Sequence, residues 1–379
     1  MDKKPLISKW SVVGIILLFV GTCVIPAMAQ DTEKPQSQSR GNWLYVGGSG
    51  PGNYTRIQDA IDDANYGDSV FVYAGIYYEN ITIYHMITVL GENKECTIID
   101  GNEKDDVVYI VQSGVCFSGF TVQNSSLFGG AGIMVLGDAD NVEITNVQVT
   151  DNAIGILLKS GTRTLLHDTL IDNNTETGVD VHSYRSEILN NVITNNRFFG
   201  IVLLGEDVDD TIIKDNVITD SREGIWISDM YQTSNIEITN NIIMNSSTYG
   251  LKLGTVDSKI YGNKFCNNSI AVTLVGAEHT DIRDNTFLNN KQGLLIVGTG
   301  TNRIHRNNFI QNQEDAFFSH LPFENSRNYW YRNYWDSHSL PLPKPVMGQK
   351  VIWVPFFILF NISWVQFDFF PALKPYDVS

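Results

Sequence analysis

The sequence predicts an all-β protein, a right-handed, single-stranded parallel β-helix solenoid of about ten coils of 21–27 residues. Three observations predict this fold: a repeat of about 22 residues, apolar positions that recur in register, and asparagines at fixed places between them. A short helix is expected to cap the N-terminal end of the solenoid, and an aromatic segment is expected to cap the C-terminal end.

The apolar positions form three columns along the repeat. The first two columns advance together in steps of 22, 22, 25, 25, 22, 22 and 22 residues, and the third steps by 21 to 26. Short β-branched runs with period two, cut by Gly and Asn, indicate strands rather than helices. Three columns therefore predict three strands per coil around a dry core. The columns are Ile144, Leu166, Ile188, Ile213, Ile238, Ile260, Ile282 and Ile304; Val149, Ile171, Ile193, Ile218, Ile243, Phe265, Phe287 and Phe309; and Ile133, Ile156, Val179, Ile201, Ile225, Leu251, Val272 and Leu294.

Two polar columns keep the same register and are interpreted as structural. Asn tolerates the left-handed backbone of a turn, and stacked Asn side chains form hydrogen-bonded ladders from one coil to the next. The columns are Thr169, Asn191, Asn216, Asn241, Asn263, Asn285 and Asn307; and Asn152, Asn174, Asn196, Ser221, Ser246, Asn268, Asn290 and Asn312.

The N-terminal segment has the features of a secretory signal. A basic leader with Lys3, Lys4 and Lys9 precedes an apolar run over 12–20, and Ala27-Met28-Ala29 is a small-x-small cleavage site. Residues 1–29 are therefore predicted to be a signal peptide, with an uncleaved membrane anchor as the alternative, and residues 30–42 a flexible leader. We expect the mature protein to be extracytoplasmic, either secreted or at the cell surface.

The N-terminal cap and first coils are predicted over 43–105, and the regular repeats over 106–320. Strands are expected at 70–72, 81–83, 87–89 and 97–99. Thr55-Arg56-Ile57-Gln58 fits a capping box that opens a short helix.

The C-terminal capping segment is predicted over 321–379. Its run VIWVPFFILF contains ten residues and a Pro, too few to cross a bilayer. We expect it to seal the last coil, with contact to a membrane surface as the alternative. The aromatic residues expected to cover the end are Trp353, Phe356, Phe357, Phe360, Trp364 and Phe367.

The composition excludes some functions. The formal net charge is −16, with 42 acidic and 26 basic residues, which disfavours binding of nucleic acid. Beyond the signal, Cys96, Cys116 and Cys266 remain; a Cys96–Cys116 bridge between neighbouring coils is left open. The seven histidines share no column, so no copper-ligating set is visible.

Several segments resemble a known family. The opening NWLYVGGSGPGNYTRIQDAIDDANYGDSVFVYAGIYYENITI, the Asn-x-Ile-x-x-Asn and Gly-Ile-x-Leu units, and the ending NYWDSHSLPLPKPVMG with WVQFDFFPALKPYDV look like prokaryotic surface proteins with NosD-type β-helix repeats. The resemblance covers roughly 43–379. It implies a secreted pectin-lyase-like β-helix with a carbohydrate or metal connection.

Two groups of residues are candidate binding sites. The first is an outward-facing column on the Gly-Ile-x-Leu strands, where Trp226 would stack on a sugar ring while Asp180, His182 and Lys159 provide polar contacts and Met134 extends the apolar surface. Burial of this stripe by the C-terminal tail or by a second chain is the alternative. The second is an acidic turn in one of the two 25-residue coils. It would suit calcium, although a solvated loop has the same composition: Glu206, Asp207, Asp209 and Asp210.

The sequence therefore predicts a secreted or surface-attached β-helix that binds glycans or proteins without catalysis. No lyase, polygalacturonase or epimerase motif is present, so enzymatic activity is disfavoured. A carbohydrate-active lyase, hydrolase or epimerase is the first alternative, and a NosD-like accessory protein for copper-site assembly is the second. A polysaccharide or a surface protein is the expected partner, and a membrane only through an uncleaved signal segment. The oligomeric state is not predicted.

Overall fold

The computed structural model describes residues 41–205, 208–228, 233–298, 300–320, 327–354 and 358–377. In this part of the chain, strands wind around one axis in three parallel sheets, which we call sheets A, B and C. Sheet A contains β4 (Ile81–Ile83), β7 (Val108–Ile110), β10 (Ala131–Leu136), β13 (Ile154–Thr162), β16 (Thr177–Tyr184), β19 (Phe199–Leu203), β22 (Glu223–Ile227), β25 (Tyr249–Leu253), β28 (Ile270–Val275), β31 (Gln292–Val297), β34 (Glu314–His320) and β37 (Lys344–Val354). Sheet B contains β1 (Trp43–Val46), β2 (Ser69–Val72), β5 (Thr88–Gly91), β8 (Cys116–Ser118), β11 (Glu143–Thr145), β14 (Leu165–His167), β17 (Glu187–Leu189), β20 (Ile212–Lys214), β23 (Glu237–Thr239), β26 (Lys259–Tyr261), β29 (Asp281–Arg283), β32 (Arg303–His305), β35 (Tyr329–Tyr331) and β38 (Ile358–Asp368). Sheet C contains β3 (Gly75–Tyr77), β6 (Thr97–Asp100), β9 (Thr121–Gln123), β12 (Gln148–Thr150), β15 (Leu170–Asp172), β18 (Val192–Thr194), β21 (Val217–Thr219), β24 (Ile242–Met244), β27 (Lys264–Cys266), β30 (Thr286–Leu288), β33 (Asn308–Ile310) and β36 (Tyr334–Trp335).

Each coil contributes one strand to each sheet, which confirms the predicted three strands per coil. The chain passes from sheet A to B to C and then pairs in parallel with its own previous coil, as Thr177 in β16 does with Phe199 in β19. The twelve strands of sheet C show about twelve coils in the described residues, rather than ten. The difference arises because the less regular opening coils and the last, aromatic coil continue the same stack.

The three apolar columns point inward, as predicted. Ile188, Ile193 and Val179 are completely buried, and so are the residues one coil before and after each of them. At the C-terminal end, Phe309 stacks on Trp335 with ring centroids 4.2 Å apart. The core is therefore continuous along the axis, and large aromatic rings fill its last coils.

The Asn columns form the predicted ladders. The side-chain oxygen of Asn216 accepts hydrogen bonds from the backbone N–H (2.9 Å) and the side-chain amide (3.0 Å) of Asn191, and Asn241 does the same for Asn216. One detail of the prediction is wrong: the left-handed residue is the one before each ladder residue, such as Asn190 with φ 54°. The side chain of a ladder Asn points into the turn and contacts the backbone of the previous coil, as the amide of Asn216 donates to the carbonyl of Ile188 (2.8 Å). The residue before it adopts the left-handed conformation instead.

The ladder that begins at Asn191 ends on a carboxylate. Asp368 is completely buried and belongs to the last strand, β38. Its Oδ2 accepts the backbone N–H (2.9 Å) and the amide (3.0 Å) of Asn333 and the indole N–H of Trp335 (3.1 Å). Its Oδ1 accepts the backbone N–H groups of Arg332 (3.0 Å) and Phe370 (3.2 Å). An acceptor-only group therefore stands where the next Asn of the column would be.

The N-terminal cap is a helix, α1 (Ile57–Asp63), whose buried residues Ile57, Ala60 and Ile61 pack on the first coils. The predicted capping box is not formed: the N-cap residue is Arg56, and it makes no side-chain cap hydrogen bond. Instead, the carboxylate of Glu79 accepts the N–H groups of Ile57 (2.9 Å) and Gln58 (3.1 Å). The helix start is thus fastened to the loop that precedes β4, so the tertiary contact replaces the local one.

The apolar tail does not seal the last coil as predicted. Strands β37 and β38 form an antiparallel hairpin on which Phe360, Trp364 and Phe367 are about half exposed. The side chain of Trp353, and Phe356 and Phe357, lie outside the described residues. Trp330, Trp335 and Val346 close the core instead. The hairpin continues in the direction of its strands and leaves the last coil to the side. Most of its side chains therefore do not lie over the end that they were expected to cover.

The described cysteines Cys96, Cys116 and Cys266 are free thiols, so the bridge left open by the sequence is not formed. Burial raises the pKa of the Cys116 and Cys266 thiols to about 11. In the described part of the chain, no helix is both long enough and apolar enough to cross a membrane.

The inward column predicts the effect of a charge in the core. Ile193→Asp should lower the free energy of unfolding by several kcal/mol, because a carboxylate without a partner is costly in a dry interior. Val192→Asp is the matched control, because the neighbouring side chain points outward and is partly exposed. Thermal melting of both variants checks this; equal melting temperatures would mean that the register is wrong.

The carboxylate at the end of the ladder predicts local unfolding of the last coil. Asp368→Ala leaves five N–H donors without an acceptor and should destabilise the end by about 3 kcal/mol. Hydrogen exchange of the amides of Asn333 and Phe370 should rise far more than exchange in the middle coils. The exposed Asp377→Ala is the control, and protection equal to the parent in Asp368→Ala would contradict the role assigned to Asp368.

The helix cap provides a test between the local and the tertiary contact. Glu79→Ala should destabilise the protein by about 1 kcal/mol, since two helix N–H groups lose their acceptor. Thr55→Ala should have almost no effect, because the side chain of Thr55 is exposed and the cap does not use it. Denaturant unfolding measures the loss of stability in both variants. A larger loss in Thr55→Ala than in Glu79→Ala would mean that the capping box caps the helix.

Candidate functional site

The predicted stripe is an outward column on sheet A. The register places Met134, Leu157, Asp180, Val202, Trp226 and Lys252 side by side on successive coils. Lys159 and His182 are paired in the next outward column, two residues further along their strands. The structure thus brings the predicted residues onto one face, with Trp226 two coils beyond Asp180.

The polar residues of the stripe differ in their surroundings. Asp180 Oδ1 lies 3.0 Å from His182 Nε2, but the two atoms are not aligned for a hydrogen bond. This carboxylate oxygen is therefore buried without a hydrogen-bond partner in the described part of the protein. Lys159 is exposed and Met134 is partly exposed. Only Asp180 and His182 are in direct contact within this set, so the stripe is a row of side chains rather than a converging cluster.

The indole of Trp226 is covered on both faces. Phe199 of the previous coil stacks on it with ring centroids 5.1 Å apart, and Lys252 of the next coil places its Nζ 5.3 Å from the ring centroid. Val202, the next residue of the stripe, is only 1% exposed. A sugar ring therefore cannot stack on Trp226 as the sequence suggested without displacing one of these neighbours.

The structure also bears on the alternative expectation, in which the C-terminal tail buries the stripe. The C-terminal tail does not cover the stripe, because β37 joins sheet A beside β34, at the end of the stack. Around Trp226 the stripe is covered by side chains of the neighbouring coils, Phe199 and Lys252.

Glu223, which the sequence interpretation missed, lies at the start of β22, three residues before Trp226. Burial raises the pKa of its carboxyl group, while Lys252 and Arg222 oppose the shift. A half-desolvated carboxylic acid next to a lysine can donate a proton as well as a hydrogen bond. No sequence signal marked it, because Glu is common at exposed strand ends and its burial depends on Phe199 and Tyr249 in the neighbouring coils.

The acidic turn is only partly described. Glu206 and Asp207 lie outside the described residues. Asp209 Oδ1 accepts hydrogen bonds from the backbone N–H (2.5 Å) and the hydroxyl (3.2 Å) of Ser234. Asp209 thus connects neighbouring coils, and calcium at this turn stays a prediction.

Asp210 is held by three donors. Its oxygens accept hydrogen bonds from the amide of Asn235 (2.5 Å), the hydroxyl of Tyr184 (2.9 Å) and the guanidinium of Arg185 (3.4 Å). The Asn235 bond, followed by those of Tyr184 and Arg185, lowers the pKa of the Asp210 carboxyl group. Within the described ranges, no three His, Cys, Asp or Glu side chains are grouped so as to hold a metal ion.

A polar groove runs along the boundary between sheets A and B. Two adjoining clefts of about 470 and 590 Å³ form it, and both are lined by Asn235 and Lys259. One wall is the turn column between the sheets, and the other is the first outward column of sheet B. The groove residues are Arg163, Arg185, Asp210, Asn235, Asp257, His279 and Thr301 on the first wall, and Glu187, Ile212, Glu237, Lys259, Asp281 and Arg303 on the second.

The groove is polar and almost balanced in charge. Arg163, Arg185, Lys259 and Arg303 provide four positive charges. Glu187, Asp210, Glu237, Asp257 and Asp281 provide five negative charges, which leaves −1 with His279 neutral. Ion pairs across the exposed surface, such as Arg185 with Asp210 at 3.4 Å, are weak in water and can exchange for a ligand. Reading the sequence missed this groove because its neighbours in space are 22 to 25 residues apart in the chain.

Comparison with known families and structures agrees with this architecture. Residues 182–339 match the family described as periplasmic copper-binding protein (NosD), and residues 85–230 match the family described as right handed beta helix region. No curated protein matches the chain.

Several solved structures share the fold. The A-module of the mannuronan C-5 epimerase AlgE6 of Azotobacter vinelandii is 17% identical, with a TM-score of 0.63 over 73% of this chain and 87% of the module. The A-module of AlgE4 from the same organism is 20% identical, with a TM-score of 0.58 over 73% and 85%. The Dettilon tailspike protein is 16% identical, with a TM-score of 0.53 over 69% and 64%.

At these identities the likeness is one of fold. The Asn ladders, the three parallel sheets and the two family matches agree over the repeats. Together they show that the chain is a right-handed parallel β-helix in which residues 182–339 match the NosD family.

Proposed function

We propose that this protein works outside the cytoplasm and binds a polysaccharide lengthwise in the groove between sheets A and B, without chemical conversion. The observation that carries the proposal is the groove itself, a continuous polar channel that crosses seven coils from Arg163 to Thr301. The β-helix likeness to mannuronan epimerases supports a carbohydrate ligand only as an analogy of fold.

The periodicity of the groove suits a polymer. Neighbouring coils are about 4.8 Å apart, so six coil steps give a channel of roughly 29 Å. Each coil adds a polar side chain from the turn wall, and most coils add one from the strand wall, with Ile212 as an apolar exception. A chain of sugar rings offers hydroxyl groups at similar regular intervals, and most rings would meet a polar side chain on each wall.

The charge of the groove favours a neutral glycan. A polyuronate would meet five carboxylates in the groove and a chain with a formal net charge of −16. Neutral hydroxyl groups can accept from the arginines and lysine and donate to the carboxylates without that repulsion. The expected ligand therefore differs from the acidic polymer in the names of the epimerases.

A second candidate function is carbohydrate conversion on sheet A. The specific observation is Glu223, a buried carboxyl group on β22 whose pKa is raised by burial, while the charge of Lys252 from the next coil opposes the shift. A protonated carboxyl group is the acid that glycosidic cleavage needs, but a second carboxylate at a suitable distance would also be required. Glu223→Gln tests this function separately from the groove, because only conversion should depend on the proton.

Binding to the groove can be measured with soluble β-glucan, xylan and sodium alginate as probes. We expect a neutral glycan to bind and alginate to bind more weakly. The double variant Lys259→Ala with Arg303→Ala should weaken binding about tenfold, because two exposed donors are lost at less than 1 kcal/mol each. Melting should not change, since both side chains are exposed.

The matched control is Lys264→Ala, which removes an exposed lysine of the same coil on sheet C. Equal loss of binding in this control would indicate a general charge effect rather than the groove. If Trp226→Ala or Glu223→Gln abolishes binding while the double variant binds normally, the ligand lies on sheet A and the groove assignment is wrong.

A further inference from the structure

The C-terminal hairpin is attached to the solenoid only at its base. Strand β37 pairs with β34 through Met347–Lys350, and β38 pairs with β35 only at Asp368. From Lys350 and Ile362 outward, the described strands pair with each other alone. A two-stranded ribbon without further packing is marginally stable in water, so this segment needs an environment that the rest of the described chain does not provide.

Both faces of the ribbon carry exposed apolar side chains. Ile352, Phe360 and Ile362 share one face with Trp364, whose ring is 47% exposed. Met347, Val365 and Phe367 are exposed on the opposite face. A protein surface that docks on one face would leave the other in water, whereas a fluid apolar medium can cover both at once.

The hairpin sequence contains no charged residue over 351–367, a stretch of seventeen positions with Asn361, Ser363 and Gln366 as its only polar residues. The chain as a whole has a formal net charge of −16. A solvated surface arm of this acidic protein would be expected to carry charge, and an edge exposed to solvent would be expected to carry Lys or Glu against aggregation. A segment without charge that carries two tryptophans, Trp353 and Trp364, is typical of chain that contacts lipid.

The base of the hairpin is basic. Residues 327–377 contain five Lys or Arg and three Asp, a local charge of +2 by subtraction, and Asp368 among these is buried. Lys350 stands at the point where the hairpin leaves the coil, with its Nζ 5.8 Å from the ring centroid of Trp364. A lysine beside a tryptophan at the end of an apolar segment suits the boundary between anionic lipid headgroups and acyl chains.

The geometry limits how deep the ribbon can go. Four residues beyond Lys350 extend about 14 Å in β37, less than half of a hydrocarbon core of about 30 Å. Both outer edges of the ribbon present backbone groups without partners in the described chain, and such edges are costly in the hydrocarbon interior. The favoured depth is the interfacial layer, where water still reaches the edges while aromatic rings leave bulk water.

We propose that the part of the hairpin beyond Lys350 and Ile362 inserts into the headgroup and upper acyl region of a phospholipid bilayer and anchors the solenoid to the membrane. The anchor is separate from the polysaccharide groove, so either can fail without the other.

The test is flotation of the full chain with vesicles of phosphatidylcholine containing about one third phosphatidylglycerol. The informative variant replaces residues 351–361 by an Asn-Gly turn that joins Lys350 to Ile362, which are partners in the hairpin register. It keeps Asp368 and the docked base, so the solenoid end should still fold. Because parent and variants share the same N-terminus, any contribution of residues 1–40 cancels in the comparison.

We expect the parent to float with the vesicles and the shortened variant to lose at least about tenfold in partitioning, as the buried apolar area is lost. Phe360→Ser with Trp364→Ser should lose partitioning without a change in melting, while the exposed Phe128→Ser, far from the hairpin in sequence, should behave as the parent. Lys350→Glu should weaken binding mainly on vesicles that contain phosphatidylglycerol.

Two results would overturn the proposal. One is equal flotation of the parent and the shortened variant. The other is no flotation of the parent together with a dimer in analytical ultracentrifugation that becomes a monomer on shortening, which would assign the hairpin to a contact between two copies of the chain.

Discussion

Hydrogen bonding between equivalent positions of successive coils is the constraint on which this structure depends. Apart from the C-terminal hairpin, the described strands pair in parallel with the equivalent strands of neighbouring coils, and the turn amides repeat the pattern in the side chains, as Asn216 does with Asn241. A shift of one residue in any coil would turn its apolar side chains outward and break the ladder at the same time. The core and the turns therefore enforce the same register, and the chain tolerates coils of different length only by enlarging the loops between strands.

A solenoid built in this way has its difficulties at the two ends, and the two ends solve them differently. At the N-terminal end, helix α1 covers the apolar interior and Glu79 holds its first N–H groups. At the C-terminal end, Asp368 accepts the ladder and Trp335 covers the last phenylalanine. Carboxylates serve at both ends because each end presents N–H donors without a regular acceptor: the first turn of helix α1 at one end, and the ladder without a following coil at the other. A carboxylate accepts several such donors without offering one of its own.

The sequence predicted the structural features that recur from coil to coil, but not the contacts that occur only once. The inward columns and the Asn ladders were visible because each position is supported by six or seven others in register. Glu79 and Asp368 act across 21 to 36 residues and appear once, so nothing in a local pattern marks them. The direction of the C-terminal tail was also hidden, because the same aromatic residues would serve to seal a coil or to leave it as a hairpin.

The candidate binding residues show the same difference between what a local sequence pattern predicts and what it misses. The stripe around Trp226 was correctly placed on one face by counting alternate residues, but its availability was not, since Phe199 and Lys252 come from other coils to cover the ring. The groove was missed because it lies between a turn column and a strand column.

The turn column of the groove also carries unusual residues for its backbone. Asn235 and Asp257 have the left-handed conformation that their residue types tolerate, but Arg163, Arg185 and His279 share it, with φ of 61°, 54° and 52°. Long or ring side chains are uncommon there, and Asn or Gly would relieve the strain. Arg306 and Arg332 at the next turn show that such strain is not confined to the groove. In the groove, however, these side chains line a channel. The energetic cost of their left-handed backbone is offset there only if a ligand in the channel binds the charged groups. The inner columns leave the sequence almost no freedom, and a repeat protein of this kind must therefore express its specificity in the residues that the ladder does not constrain.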